Sequence, residues 1–321
     1  MMVSPRAEDR AVTGRPPYRP TARGGGGASE SPPYAYAFLV FVVVLGLYVI
    51  SIAPTTQFWD TSEYIVAAKV LGIPHPPGNP LFVLIANAWG QVPLVGDYAL
   101  RINLLAAVTS ALASGFLFLV AERFLREIIS GPRWARLGAA AAGILVGATS
   151  FTVWNQSVVN EKVYTLSLFS IGLVLWLIVH WGDQPAGERR DHWLILIVYL
   201  LALTATNHLM GLLVVPALLV YVLYTDRTVF GRWRMWAVAA LVVAAGLSVF
   251  VFLPIRAAHY PAINEGEPIT REAFTAVLKR EQYRKPPLVP RQADLASQYA
   301  NYIQYFSWQF AHDWGARARR F

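Results

Sequence analysis

Long apolar runs broken by short polar patches dominate this chain. A helix needs about 20 apolar residues to cross a bilayer. Seven runs approach that length, at 35–53, 99–121, 136–154, 163–181, 193–207, 209–224 and 235–254. They predict an all-α integral membrane protein, a bundle of about seven transmembrane helices. Another apolar stretch, Pro80 to Leu94, is short, contains Asn87 and Gln91, and is bounded by prolines. It is expected to lie in the membrane interface without crossing.

Charge supports that placement. With Pro80–Leu94 uncrossed, the N-terminal tail and the loops on its side carry 14 arginines, against Lys69, Arg101 and Lys162 on the other side up to residue 254. If the stretch crossed, the bias would largely vanish. Basic loops stay cytoplasmic, so the N-terminus is expected inside a cell (inner) membrane and the segment after residue 254 outside. The net charge of +8 is then a topology signal and not a footprint for nucleic acid. Charged residues make up 14% of the chain and apolar ones 55%, against about 25% charged in soluble domains. The absence of cysteine excludes disulfides, zinc-thiolate centres and a cysteine nucleophile.

Three segments follow. Residues 1–33, with five arginines and the Gly24–Gly27 run, read as a disordered cytoplasmic tail. Residues 34–255 form the membrane domain. Residues 256–321 form an extracytoplasmic tail, with a helix expected at 271–282 and an interfacial helix at the aromatics Tyr299, Tyr302, Tyr305, Phe306 and Trp308.

The polar residues that interrupt the apolar pattern fall on the outer side. Asp60 and Glu63 share a helical face if 60–71 is helical. Asp60-Thr61-Ser62-Glu63 also fits a capping box, in which the two ends satisfy each other's backbone donors; the two readings are compatible. His75-Pro76-Pro77-Gly78 follows Gly72, a plausible helix stop. Arg101 opens an apolar run on the outer side; it either snorkels to headgroups or binds phosphate with its planar fork. Glu161 and Lys162 form a second polar patch, readable as a solvated pair. Asn207-His208 breaks a nearly continuous apolar run, where a histidine is as often a packing hydrogen-bonder as a functional group. Arg256 follows Pro254 at the exit of the last run.

These residues carry a resemblance. Phe58-Trp59-Asp60-x-x-Glu63-Tyr64, Leu71 to Leu81, Arg101-Ile102-Asn103, Trp154-Asn155 through Leu166, Asn207-His208, Leu253 to Ala257 and Arg280-Glu281-Gln282-Tyr283 occur in an order that resembles the DUF2723 family, which includes animal transmembrane O-mannosyltransferases and many bacterial proteins. The resemblance implies a membrane glycosyltransferase of the GT-C class that takes a sugar, mannose in the best-known case, from a polyprenyl-phosphate carrier on the outer face. It implies an acidic catalytic residue at Asp60 with Glu63 beside it, and interfacial helices in the first outer loop. Lys162 departs from the apolar residue expected after the glutamate. Family members usually continue beyond such a length, which leaves open a truncated form of a longer protein.

Under this reading Asp60 is the base, while Arg101, Arg256 or His75 stabilises the leaving phosphate. Glu63, Glu161 and His208 orient the sugar or the acceptor, whether that is protein, lipid or glycan. Membrane lipids are the surroundings. No cofactor is expected; Asp60 and Glu63 alone offer too few ligands for a divalent metal. Two rivals remain: a transporter or flippase of a lipid-linked or acidic solute, and a non-catalytic member. Transport favours polar groups at mid-membrane depth, whereas here they gather at one face.

Overall fold

The computed structural model describes residues 30–159, 162–185, 187–283 and 291–310. Among them the regular structure is helical: α1 (Tyr34–Ser51), α2 (Thr61–Val70), α3 (Pro80–Gly90), α4 (Tyr98–Ile128), α5 (Arg133–Ala148), α6 (Phe151–Val158), α7 (Lys162–Asp183), α8 (Glu188–Ala205), α9 (Val215–Asp226), α10 (Trp233–Leu247), α11 (Phe252–Ala257), α12 (Arg271–Lys279) and α13 (Leu295–Gln309). One isolated parallel bridge, Ile73 to Asn264, is the remaining backbone pairing of note. The fold is that of an all-α membrane protein.

The long helices sort into a core pair and a lipid-facing shell. In α4 and α7 the apolar windows are 61% and 56% buried, whereas those of α1, the Leu209–Gly231 segment and the Trp233–Ala257 segment are only 22%, 22% and 17% buried. Helices this apolar with so little protein cover need hydrocarbon around them. Alpha4 and α7 meet through small residues. A Cβ on Gly172 would lie 3.1 Å from the Ala113 carbonyl, and Thr109 Oγ1 donates to Thr165 Oγ1 at 3.0 Å. Small side chains let membrane helices approach closely, and paired hydroxyls join them.

Among the described residues, five helical segments are long and apolar enough to cross a bilayer, or six if α5 and α6 count as one span broken by 67°. The expected seventh, near 193–207, belongs to α8. Its first turn holds Glu188, Arg189, Arg190 and Asp191, so its apolar stretch is shorter than a full crossing. Alpha3 has 11 residues, about 16 Å at 1.5 Å per residue, too short to cross, which agrees with an interfacial role.

Ion pairs lock the helix ends remote from Asp60, Glu63 and His75. Arg123 at the end of α4 meets Asp183 at the end of α7 at 2.7 Å. Glu122, fully buried, binds Arg126 at 2.8 Å and faces Arg136 of α5 at 3.7 Å. Arg232 pairs with both Asp191 and Asp226. The opposite ends, the starts of α4 and α7 and the end of α8, frame the site described next.

Candidate functional site

Alpha2 carries the acidic pair. Asp60 is its N-cap residue, following Trp59 with φ 65°. The capping box does not form: the Asp60 side chain makes no cap hydrogen bond, and Glu63 turns away from the helix end. Its Oε1 accepts from the His75 amide at 2.7 Å and its Oε2 meets His75 Nδ1 at 2.7 Å. A charged, bifurcated contact to histidine outcompetes a local backbone cap. At the other end, the left-handed residue that stops α2 is Leu71 (φ 50°), one position before the expected Gly72. Gly72 is needed for space: a Cβ there would sit 3.0 Å from the Ile263 carbonyl.

The loop after α2 is pinned from outside. Ile73 donates to Ile263 at 2.8 Å, and Glu265 donates back to Ile73 at 3.0 Å. Gly78 takes φ +84° against Leu253, whose Cδ2 would lie 2.8 Å from an added Cβ. Only a residue without a side chain combines that backbone angle with that contact. The loop thereby presents His75 to the end of α2, and Asn79, fully buried, starts α3.

Together these elements close a polar cavity of about 180 Å³. Asp60 and Tyr64 line it from α2, and His75 and Asn79 from the loop. Tyr164 comes from α7, His208 from the break after α8, and Arg280 and Tyr283 from the end of α12. One polar atom from each of Asp60, Glu63 and His75 lies within 4.8 Å of the others. Those three could bracket a cation. However, both ring nitrogens of His75 are already engaged, Nδ1 by Glu63 and Nε2 by the Tyr64 hydroxyl at 3.1 Å, so the set suits an ion pair better than a metal.

The electrostatics agree. Burial pushes the Glu63 carboxyl up, but the hydrogen bonds and charge of His75 outweigh it and hold the group below its ordinary value. Glu265 nearby is raised, by burial first, then by the Glu63 and Asp60 carboxylates against the opposing pull of His75. Among the pocket's lining residues, Arg280 brings a positive charge. Arg280 lies 4.9 Å over the Tyr283 ring, and its Nε is buried without a hydrogen-bond partner.

The structure separates the sequence-derived candidates. Asp60, Glu63, His75 and His208 come together. Arg101 does not join them: its guanidinium donates to the carbonyls of Val95 (2.7 Å), Gly90 (2.8 Å) and Gly96 (3.0 Å). Through these contacts it ties the end of α3 to the start of α4. Arg256 likewise donates to Leu71 (2.8 Å) and Val70 (2.9 Å), closing the C-terminal end of α2. In both cases the guanidinium satisfies backbone carbonyls at or near a helix end, which have no partner within the helix. Glu161 lies outside the described residues. Lys162 is no solvated partner: it is 1% exposed, and its Nζ donates to the Val159 carbonyl at 2.9 Å. Sequence reasoning placed no cation at Arg280; the only signal was its place in the Arg280-Glu281-Gln282-Tyr283 block.

Beyond Tyr164 lies a second, mostly apolar cavity of about 400 Å³. Its wall includes Ser110, Thr152, Gln156, Leu168, Met210 and Tyr305 of α13. Alpha13 is held there by Tyr305 and Gln309 bonding to Thr152.

Fold and site thus define an integral membrane protein with one polar pocket at the ends of its core helices. Residues 60–230 match the protein O-mannosyl-transferase TMEM260 N-terminal domain, and the chain belongs to that family. It is 27% identical over 274 residues to the mouse (Mus musculus) protein O-mannosyl-transferase TMEM260, which covers 81% of this chain and 37% of that relative. The chain therefore spans little more than a third of the length of the relative it matches. No solved structure matches it.

Proposed function

We propose that this chain is a glycosyltransferase of the GT-C type that moves a sugar from a polyprenyl-phosphate carrier to an acceptor hydroxyl on the extracytoplasmic face. The observation that carries the reading is that two neighbouring cavities share Tyr164 as a wall. One is polar and holds a carboxylate beside Arg280 and two histidines; the other is apolar and runs along α4, α6 and α7. A donor with a charged head and a hydrocarbon chain matches that pairing. The relative's name supports mannose as the sugar and a protein as the acceptor.

The chemistry follows from the residues. Asp60 takes the proton of the acceptor hydroxyl. The oxygen attacks the anomeric carbon as the bond from that carbon to the phosphate oxygen breaks. The electron pair leaves with the lipid phosphate, and the configuration inverts. Arg280 and His75 supply positive charge where negative charge gathers on the leaving group. His208 and Tyr164 face the sugar. The inner loops, rich in arginine, support a cytoplasmic N-terminus and an outward-facing site.

The test is transfer from a radiolabelled polyprenyl-phosphate mannose in membranes carrying either the wild-type chain or Asp60→Asn. Loss of about 100-fold or more with unchanged expression is expected for removal of a general base. Full transfer by the variant sinks the assignment of Asp60.

A further inference from the structure

We propose that the pocket holds its two histidines in opposite charge states, His75 doubly protonated through Asn79 and Tyr64, and His208 neutral with its proton on Nε2 through the Met210 amide. Asn79 is thereby a positioning residue of the site. The functional consequence rests on the transferase reading above, but the placement of the protons does not.

The chain of hydrogen bonds begins at a backbone carbonyl. The Asn207 carbonyl faces the Asn79 carboxamide. A carbonyl only accepts, so Asn79 must turn its NH2 group to it. Asn207 is itself fixed, because its own Nδ2 donates to the Val163 carbonyl at 2.9 Å and Ser167 Oγ at 2.8 Å. Both asparagines are fully buried, so water does not offer alternatives. Asn79 Oδ1 is left facing the Tyr64 hydroxyl at 3.2 Å.

An amide oxygen cannot donate, so the phenol proton of Tyr64 goes to Asn79. The phenol oxygen then accepts from His75 Nε2, 3.1 Å away. That puts one proton on Nε2. The other ring nitrogen, Nδ1, lies 2.7 Å from Glu63 Oε2, and one more proton must lie between them. Imidazole is more basic than a carboxylate, so that proton stays on His75. The pair is net neutral, an imidazolium against a carboxylate, where an unconstrained histidine would leave a net negative pair. The depressed Glu63 carboxyl agrees with this.

His208 obeys the opposite constraint. It caps the turn Leu209–Val214, and its Nδ1 accepts from the Met210 amide at 3.1 Å. A nitrogen that accepts carries a lone pair and no proton. The ring is therefore neutral, and its remaining proton is on Nε2. Its face packs edge-on against Tyr164 with centroids 5.0 Å apart.

The two states divide the work. Asp60, Tyr64, Tyr164, His208, Arg280 and Tyr283 line the pocket with His75, and the carboxylates of Glu63 and Glu265 interact with His75 from outside that lining. With His75 charged, the Glu63 carboxylate is cancelled, Asp60 remains the pocket's base, and His75 and Arg280 meet the leaving phosphate. His208 supplies a hydrogen-bond donor without adding a charge.

The test is 15N NMR of the full chain, labelled at histidine and embedded in nanodiscs. The chain has six histidines, and loss of a signal in His75→Gln or His208→Gln assigns each ring. At about pH 8, above the ordinary histidine value of about 6.5, His75 is expected to show an imidazolium pattern and His208 a neutral ring protonated at Nε2. In Tyr64→Phe and in Asn79→Ala, His75 is expected to titrate at lower pH than in wild type, with His208 unmoved. A neutral His75 in the wild type at about pH 8, or a charged His208, overturns the proposal; so does a His75 titration unchanged in both variants. The wild-type spectrum decides even if Asn79→Ala misfolds. Transfer assayed on the same samples separates the two readings. Proton states as stated with no transfer would remove the transferase reading and leave this one standing.

Discussion

Glu63 grips His75 at two points, one oxygen on the backbone amide and the other on Nδ1, both at 2.7 Å. The contact joins the first turn of α2 to the loop that precedes α3. It thus sets the distance between Asp60, at the end of α2, and the far wall of the pocket.

That contact makes stability pH-dependent with a definite sign. The Glu63 carboxyl is lower in the folded protein than its ordinary value of 4.5. Its contribution is therefore complete above that value and is lost as pH falls through the depressed folded value. Thermal melts from about pH 7 to pH 3 should show an acid-side loss that is shallower in Glu63→Gln, which has no proton to take up. Parallel acid limbs in the two proteins would show that the pair contributes nothing.

The arginines separate by readout. Arg101→Ala leaves three carbonyls unpaired, at about 1–3 kcal/mol each where they are buried, so its melting temperature should fall by several degrees while the donor KM of the surviving protein stays the same. Arg280→Gln should do the reverse, raising the donor KM roughly tenfold, the scale of one charged hydrogen bond, with little change in melting. An elevated KM confined to Arg101→Ala would return the phosphate contact to Arg101.

Gly78→Ala adds a Cβ 2.8 Å from Leu253 Cδ2 at a backbone φ of +84°. Overpacking of this kind costs about 1–3 kcal/mol, and the left-handed backbone adds about 1 kcal/mol. The loop holding His75 has to shift, so transfer is expected to fall along with the melting temperature. Wild-type transfer in this variant would show that the loop position is not critical.

At the opposite helix ends, Glu122→Ala removes the buried carboxylate that Arg126 and Arg136 face. Removing one partner of a buried pair costs about 3–5 kcal/mol. Expression and melting should suffer, with donor KM unaltered, because no residue of this cluster lines the pocket.

The sequence by itself determined the membrane class and part of the pocket wall. Apolar runs of about 20 residues have few uses outside a bilayer, and residues such as Asp60, Glu63, His75 and Asn207-His208 stand out because charge or polarity there is expensive. That α3 is too short to cross a bilayer was legible from its length. The split of arginines into structural and pocket-lining was decided only by tertiary structure. Arg101, Arg256 and Arg280 are equally basic as letters, and what separates them is whether carbonyls or a cavity lie within reach of the guanidinium. The capping box failed for a related reason: its pattern is local, whereas the partner Glu63 took lies 12 residues away. The count of spans stopped short of seven because the charged first turn of α8 shortens its apolar stretch. Periodicity and charge act over a few residues and can be read along the chain; the partner of each polar group depends on how α2, α7 and α12 pack together, and only the folded chain sets that.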